Sequence, residues 1–171
     1  MCTTNDHNLA EKMALLRNQG MSNERKYWHT EVGFNYRMTN IQAAIGLAQL
    51  ERVDNLIETK RKNAKKYNYL LSEIENIGLP VEEKWAKNVY WMYSILTNKR
   101  QEVAKALKHK NVDSRPFFYP LHIMPPYLKR ISCPISEELS KKGLSLPSST
   151  KLSEAQIEYI CKIISDVEKK S

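Results

Sequence analysis

Cysteine is scarce in this chain: Cys2, Cys133 and Cys161 are the three in 171 residues, unevenly spaced and with no CxxC pair. That spacing argues against a disulfide framework or a zinc site, and makes a reducing compartment, the cytosol, the expected setting. Histidine is equally sparse, and no His or Cys pair has metal-ligand spacing, so no metal is expected. Glycine numbers five, and no glycine-rich phosphate loop, GxSxG or HExxH occurs. No apolar run approaches the ~20 residues of a membrane span. The opening MCTTNDHNL is polar and does not read as a signal peptide. Acidic residues are also the minority, 19 against 27 Lys and Arg, for a net charge of +8.

What is present is an ordinary globular composition, 42% apolar, which is too high for disorder. A chain this long buries roughly 70% of its unfolded surface. Part of the positive charge is concentrated at Lys60, Arg61, Lys62, Lys65 and Lys66. That cluster is either a nucleic-acid footprint or the wet face of a helix. No aromatic–basic alternation of the RNA-binding kind accompanies it, which favours the helix face.

Periodicity divides the chain into elements. Asp6 is placed to cap a helix whose face is Leu9, Met13 and Leu16, with Gly20 at its C-terminal cap. Residues 21–38 have no period and read as a loop. Thr39 and Gln42 have capping-box spacing, and the pattern from Ile41 through Ile57 predicts a helix of about 25 residues reaching Tyr67. Gly46 costs that helix about 1 kcal/mol relative to Ala, a loss that a tight backbone contact would offset. A further helical stretch runs from Tyr67 to Ile74. Beyond it the order is strand (88–97), helix, strand (112–117), loop, short helix (135–142), strand (GLSLP) and a final helix capped by Ser153 and Gln156. Asn98 and Gln101 repeat the capping-box spacing. FFYPLHIMPPY, with three prolines in eleven residues, reads as extended, polyproline-like chain. The fold class is therefore α/β, an α+β layer of helices on a small sheet. The first 70 residues have no strands to pack against, so residues 1–50 are expected to self-associate or pack differently for want of cover.

Polar residues cluster at few places. Asn35 and Arg37 precede the Thr39 helix. Either they form an anion seat with that helix terminus, or Asn35 sets a turn and Arg37 pairs with a nearby acid. Tyr27, Trp28 and His29 offer either a ring-stacking surface or loop anchors. Tyr119 and His122 lie where a stiff backbone can aim side chains at a ligand. His7 and His109 read as solvent-facing.

GFNYRMTNIQAAIG, residues 33–46, resembles the GYNYRM–TNIQAAIG block of the DegT/DnrJ/EryC1/StrS family of sugar-nucleotide aminotransferases. MCTTND…LAEKMALLRNQGM is similar to the stretch after that family's TTGEGG signature. RPFFYPLHIMPPY resembles its small-domain active-site loop, and GLSLPSSTKLSEAQIEYI its C-terminal strand and helix. YWHTEVGFNYRM and RPFFYPLH most resemble the perosamine-synthase-like branch.

The resemblance implies the C-terminal portion of a type I pyridoxal-phosphate fold. Residues 1–32 would be a remnant of the large cofactor-binding domain, 33–84 an interface loop with connecting helices, and 85–171 the small domain. It implies transfer of an amino group from glutamate to a keto sugar nucleotide such as GDP-4-keto-6-deoxymannose, for surface polysaccharide, in a homodimer that needs neither nucleic acid nor membrane. Asn35 would donate to the partner's pyridoxal 5'-phosphate, Arg37 would sit near cofactor or substrate phosphate, and His29, Tyr119 and His122 would contact the sugar nucleotide. The family's Schiff-base lysine lies just before TTGEGG, upstream of Met1. No catalytic residue is therefore assigned, and the chain is expected to be a piece that neither binds the cofactor nor catalyses alone. The alternative is a non-catalytic binding or oligomerisation module with the small-domain fold.

Overall fold

The computed structural model describes residues 2–128 and 131–169. The chain divides into two compact units, 1–52 and 53–171.

The first unit is built on two capped helices. α1 spans His7–Arg17, and the Asp6 carboxylate accepts the Leu9 amide at 3.0 Å. Its C-cap is Asn18 rather than Gly20. Gln19 and Gly20 then both take left-handed backbone, with φ of 62° and 67°. This closes a terminal loop in which the Gly20 amide donates to Leu15 O at 2.9 Å. Residues 21–38 contain no strand, as the loop reading expects, but two isolated antiparallel bridges lace them back to the end of α1 as a loose ladder. Asn18 pairs with Asn35 and Met21 with His29. The ladder requires two glycines: a Cβ at Gly33 would lie 2.2 Å from Gly20 N, and one at Gly20 only 2.0 Å from Glu31 O. Lys12 and Glu31 form an ion pair from α1 to the ladder.

α2 spans Asn40–Leu50, and its capping box forms as the spacing predicts. Gln42 N–H donates to Thr39 Oγ1 at 3.2 Å, and Thr39 N–H to Gln42 Oε1 at 2.9 Å. The expected 25-residue helix is instead two helices. At residue 52 the amide reaches Gln49 O, three residues back, so the hydrogen-bond ladder tightens into a turn. α3 then begins and runs Val53–Leu71, absorbing the start of the stretch expected from Tyr67. No residue of α1 or α2 is buried. Ile41, Ile45, Leu47 and Leu50 are all exposed. A Cβ on Gly46 would meet nothing within 4 Å, so no tight contact among the described residues explains that glycine.

The second unit holds the core. Three strands, β1 (Tyr93–Leu96), β2 (Arg115–Pro116) and β3 (Gly143–Leu146), form an antiparallel sheet in the order β1-β3-β2. β3 is central and buried throughout, with Ile95 opposite Leu144 and Tyr93 opposite Leu146. α4 (Arg100–His109), α5 (Pro134–Lys142) and α6 (Glu154–Glu168) complete the unit. α6 packs against α3 and α4. Their shared core comprises Ala64, Tyr67 and Leu71, Val103 and Leu107, and Ile157, Ile160, Cys161 and Ile164. The rings of Tyr67 and Tyr93 stack at 4.6 Å within it. The Ser153–Gln156 capping box of α6 is present.

Two sequence expectations here are corrected. The strand expected from residue 88 starts only at Tyr93, because Tyr90 is left-handed (φ 48°) and donates its amide to Asn88 Oδ1, making a turn. The Asn98–Gln101 capping box does not form. α4 begins after Lys99, whose amide is taken by Thr97 Oγ1 at 2.9 Å.

The basic cluster on α3 is largely engaged inside the unit. Lys60 Nζ donates to the carbonyls of Trp91 and Ser148, at 3.3 and 2.8 Å. Arg61 binds Glu82 at 2.7 Å, Lys62 binds Glu154 at 3.0 Å, and Lys66 binds Glu158 at 2.7 Å. These side chains tie α3 to α6 and to the 80–92 loop.

Candidate functional site

The ladder of the first unit fixes the orientation of residues 33–37. Phe34 N–H donates to Leu16 O at 2.7 Å, Gln19 N–H to Phe34 O at 3.0 Å, and Tyr36 N–H to Arg17 O at 3.1 Å. Side chains of an extended segment alternate between its faces. Phe34 and Tyr36 stack on one face, with ring centroids 5.1 Å apart and planes within 8°. Asn35 and Arg37 therefore share the other face.

The sequence allowed Arg37 an acidic partner, but the structure gives it a neutral one. Arg37 Nη1 donates to Asn18 Oδ1 at 3.2 Å. Asn18 is also the residue paired with Asn35 across the ladder. The Asn35 amide makes no side-chain hydrogen bond among the described residues. One guanidinium donor is thus used to aim the group while its charge stays uncompensated. A neutral amide donor stands beside it on the same face. The following helix terminus contributes less than the sequence suggests, because the capping box consumes the amides of Thr39 and Gln42. The donor set suits a phosphate: a forked cation plus an amide, with no carboxylate bonded to either.

His29 lies on the same ladder. Its Nδ1–H donates to Gln19 O at 2.9 Å, and its Nε2 makes no hydrogen bond among the described residues. Tyr27 and Trp28 are exposed and carry cations on their faces: Arg25 sits 4.6 Å from the Trp28 ring and Lys26 5.0 Å from Tyr27. They are not packed as anchors, and Tyr27 holds left-handed backbone at φ 62°.

In the second unit, residues 117–128 are more ordered than a polyproline run, with 3₁₀ turns at Leu121–Ile123 and Pro125–Tyr127. Tyr119 points outward, 72% exposed. His122, expected at a ligand, is buried. Its Nε2–H donates to Glu137 Oε1 at 3.0 Å, and that oxygen also accepts the Cys133 amide at 3.2 Å. The Cys133 amide first, and then His122, hold the Glu137 carboxyl below the usual carboxylate range. The structure thus brings His29, Asn35 and Arg37 together on one ladder, and Tyr119 and His122 on one segment. Sequence reasoning missed Asn18 and Glu137. Asn18 carried only the faint signal of an amide at a helix end, and Glu137 that of an acid in the first turn after Pro134.

Residues 1–165 match the DegT/DnrJ/EryC1/StrS aminotransferase family. The chain belongs to that family. Its sequence is 44% identical to the GDP-perosamine synthase of Caulobacter vibrioides, over 98% of this chain and 47% of the relative. It is 42% identical to the GDP-perosamine synthase of Escherichia coli O157:H7, over 97% of this chain and 46% of the relative. The crystal structure of DesV from S. venezuelae superposes with a TM-score of 0.85 at 27% identity, covering 99% of this chain and 46% of DesV. The chain spans about half the length of the curated relatives it matches. The DegT/DnrJ/EryC1/StrS aminotransferases are pyridoxal-phosphate dependent, and the Asn35–Arg37 donors fit the phosphate end of that cofactor. Among the described residues, no group of three or more His, Cys, Asp or Glu could hold a metal ion, and no helix is long and apolar enough to cross a membrane.

Proposed function

We propose that these residues form the C-terminal half of an aminotransferase that moves an amino group from glutamate to a nucleotide-linked keto sugar. GDP-4-keto-6-deoxymannose is the sugar nucleotide that fits this reading, and surface polysaccharide synthesis its purpose. The likeness to two GDP-perosamine synthases supports the substrate class. The observation that carries the reading is the ladder face on which Arg37 is aimed by a neutral partner beside an unpartnered Asn35 amide.

In this reading the enzyme is a cytoplasmic homodimer. Asn35 and Arg37 hold the phosphate of pyridoxal phosphate seated in the partner subunit. Arg37 supplies charge that Asn18 does not cancel, and Asn35 supplies a directional donor. When bound, the cofactor supplies an electron sink at the carbon that gains or loses the amino group. His29 Nε2 and the outward Tyr119 hydroxyl bind the sugar nucleotide. Residues 1–32 belong to the cofactor domain, 33–84 to the subunit interface and 85–171 to the small domain.

A chimaera tests this. The chain replaces the matching part of the Caulobacter vibrioides GDP-perosamine synthase and is assayed with glutamate and the keto sugar nucleotide. Formation of the amino sugar is expected. A folded, dimeric chimaera that binds the sugar nucleotide but makes no product would instead favour a non-catalytic binding module. The core that residues 53–171 complete within themselves is the feature that supports that second reading.

A further inference from the structure

The segment 117–128 exposes Phe118, Tyr119, Leu121, Ile123 and Tyr127, and buries only Pro120 and His122. Its internal bonds are short-range: Ile123 N–H to Pro120 O, Met124 N–H to Leu121 O, and Tyr127 N–H to Met124 O. Two hydrogen bonds leave it for the rest of the unit among the described residues. Phe117 N–H donates to Gly143 O at 3.1 Å at its start, and His122 donates to Glu137 in its middle. An apolar segment with so few outward ties would otherwise have many arrangements. Among the described residues, His122 is the one side chain of the segment that hydrogen-bonds to α5.

Glu137 is itself fixed, since its Oε1 also accepts the Cys133 amide at the start of α5. Pro120, at φ −58° and ψ 134°, links Tyr119 to the Leu121–Ile123 turn that carries His122. Proline locks φ at that link, which removes one of the rotations between His122 and Tyr119.

We propose that His122 is a positioning residue: clamped on Glu137, it fixes segment 117–128 so that Tyr119 is presented to the sugar nucleotide, and does not itself touch substrate. The substrate half of this statement rests on the aminotransferase reading above; the clasp half does not. A buried ring that donates its Nε2–H to the half-exposed Glu137 carboxylate has no donor left at that atom for a ligand.

Two measurements test it together. Amide hydrogen exchange is followed in the whole chain for His122→Leu, which keeps volume but loses the bond, and for His122→Gln, which keeps a donor. Exchange at Leu121, Ile123 and Met124 is expected to quicken about tenfold in the leucine variant while α6 is unchanged, and to return to within about threefold in the glutamine variant. Glu137→Leu should reproduce the leucine pattern from the other side of the clasp. In the chimaera, His122→Leu should raise KM for the sugar nucleotide about tenfold with kcat little changed, and His122→Gln should restore it. Unchanged exchange in the segment, or equal loosening of α6, overturns the clasp. A fall in kcat at constant KM overturns the positioning role. A chimaera inactive before any substitution overturns the aminotransferase reading and the substrate half of the proposal, leaving the clasp to be decided by the exchange measurement.

Discussion

Arg37 donates to the side-chain oxygen of Asn18 at 3.2 Å, and the partner is an amide, not an acid. Asn18→Asp would convert that contact into an ion pair. Exposed ion pairs contribute about 0–1 kcal/mol, and an acid at a helix C-terminus costs a similar ~0.3–1 kcal/mol. Denaturant melts of the chain should therefore shift by less than about 1 kcal/mol. Pyridoxal-phosphate affinity of the chimaera should fall by about tenfold, because the cation is now neutralised. Unchanged affinity would mean that the guanidinium charge is not used on a phosphate.

Two glycines should respond oppositely to the same substitution. Gly33→Ala would place a Cβ 2.2 Å from Gly20 N, a backbone atom that cannot step aside. The ladder should lose at least ~1–3 kcal/mol, the usual cost of overpacking. Gly46→Ala meets nothing within 4 Å and should stabilise α2 by up to about 1 kcal/mol in the isolated chain. If the slim helix packs closely in the complete enzyme, the same change should weaken chimaera dimerisation. Equilibrium melts and sedimentation separate the two effects.

Acid sensitivity should centre on Glu82. Its Oε1 accepts Arg61 at 2.7 Å and the Asn88 amide at 2.9 Å, and Oε2 accepts the Tyr90 hydroxyl at 3.2 Å. The Arg61 hydrogen bond, then the Asn88 amide, hold this carboxyl below its usual range. A depressed folded pKa stabilises above the unfolded value of about 4.3, and that contribution is lost as pH falls through the folded value. Glu82→Gln should be the less stable protein at about pH 7, and the gap should close toward about pH 2. A gap that persists in acid would contradict this.

The thiols should differ in reactivity. Burial pushes the Cys161 thiol up to about 12, whereas Cys2 is exposed. An alkylating reagent at about pH 8 should label Cys2 in the folded chain and Cys161 only on unfolding. Because the unfolded thiol ionises near 8.5 and the folded one does not, the chain should lose stability as pH rises through that range. Mass mapping of labelled peptides with and without urea checks the first point.

Much of the fold was legible because local signals agreed with tertiary structure. The caps at Asp6, Thr39 and Ser153 all form. GLSL became the buried central strand, and Val103, Leu107, Ile157, Ile160 and Ile164 face the core. The failures have physical causes. Nothing in Glu51–Arg52 is a helix breaker, so propensity gives no sign of the turn there. Tyr90 and Tyr27 hold left-handed backbone that aromatic residues rarely adopt, and so the strand start and the 21–38 ladder were hidden. At the candidate site, Asn35 and Arg37 were readable as a donor pair. Asn18 was not, because the bridge joins residues 17 apart, and nothing in the sequence paired His122 with Glu137, whose carboxylate accepts its Nε2–H.

The most direct test is the pyridoxal-phosphate affinity of the chimaera with Asn35→Ala, compared with the unsubstituted chimaera by equilibrium dialysis. Asn35 is exposed and its side chain has no hydrogen-bond partner among the described residues, so folding and dimerisation should be unaffected. If residues 33–37 seat the cofactor phosphate, the dissociation constant should rise about tenfold or more, the loss of a charge-assisted hydrogen bond. An unchanged constant in a correctly dimeric chimaera would contradict the account.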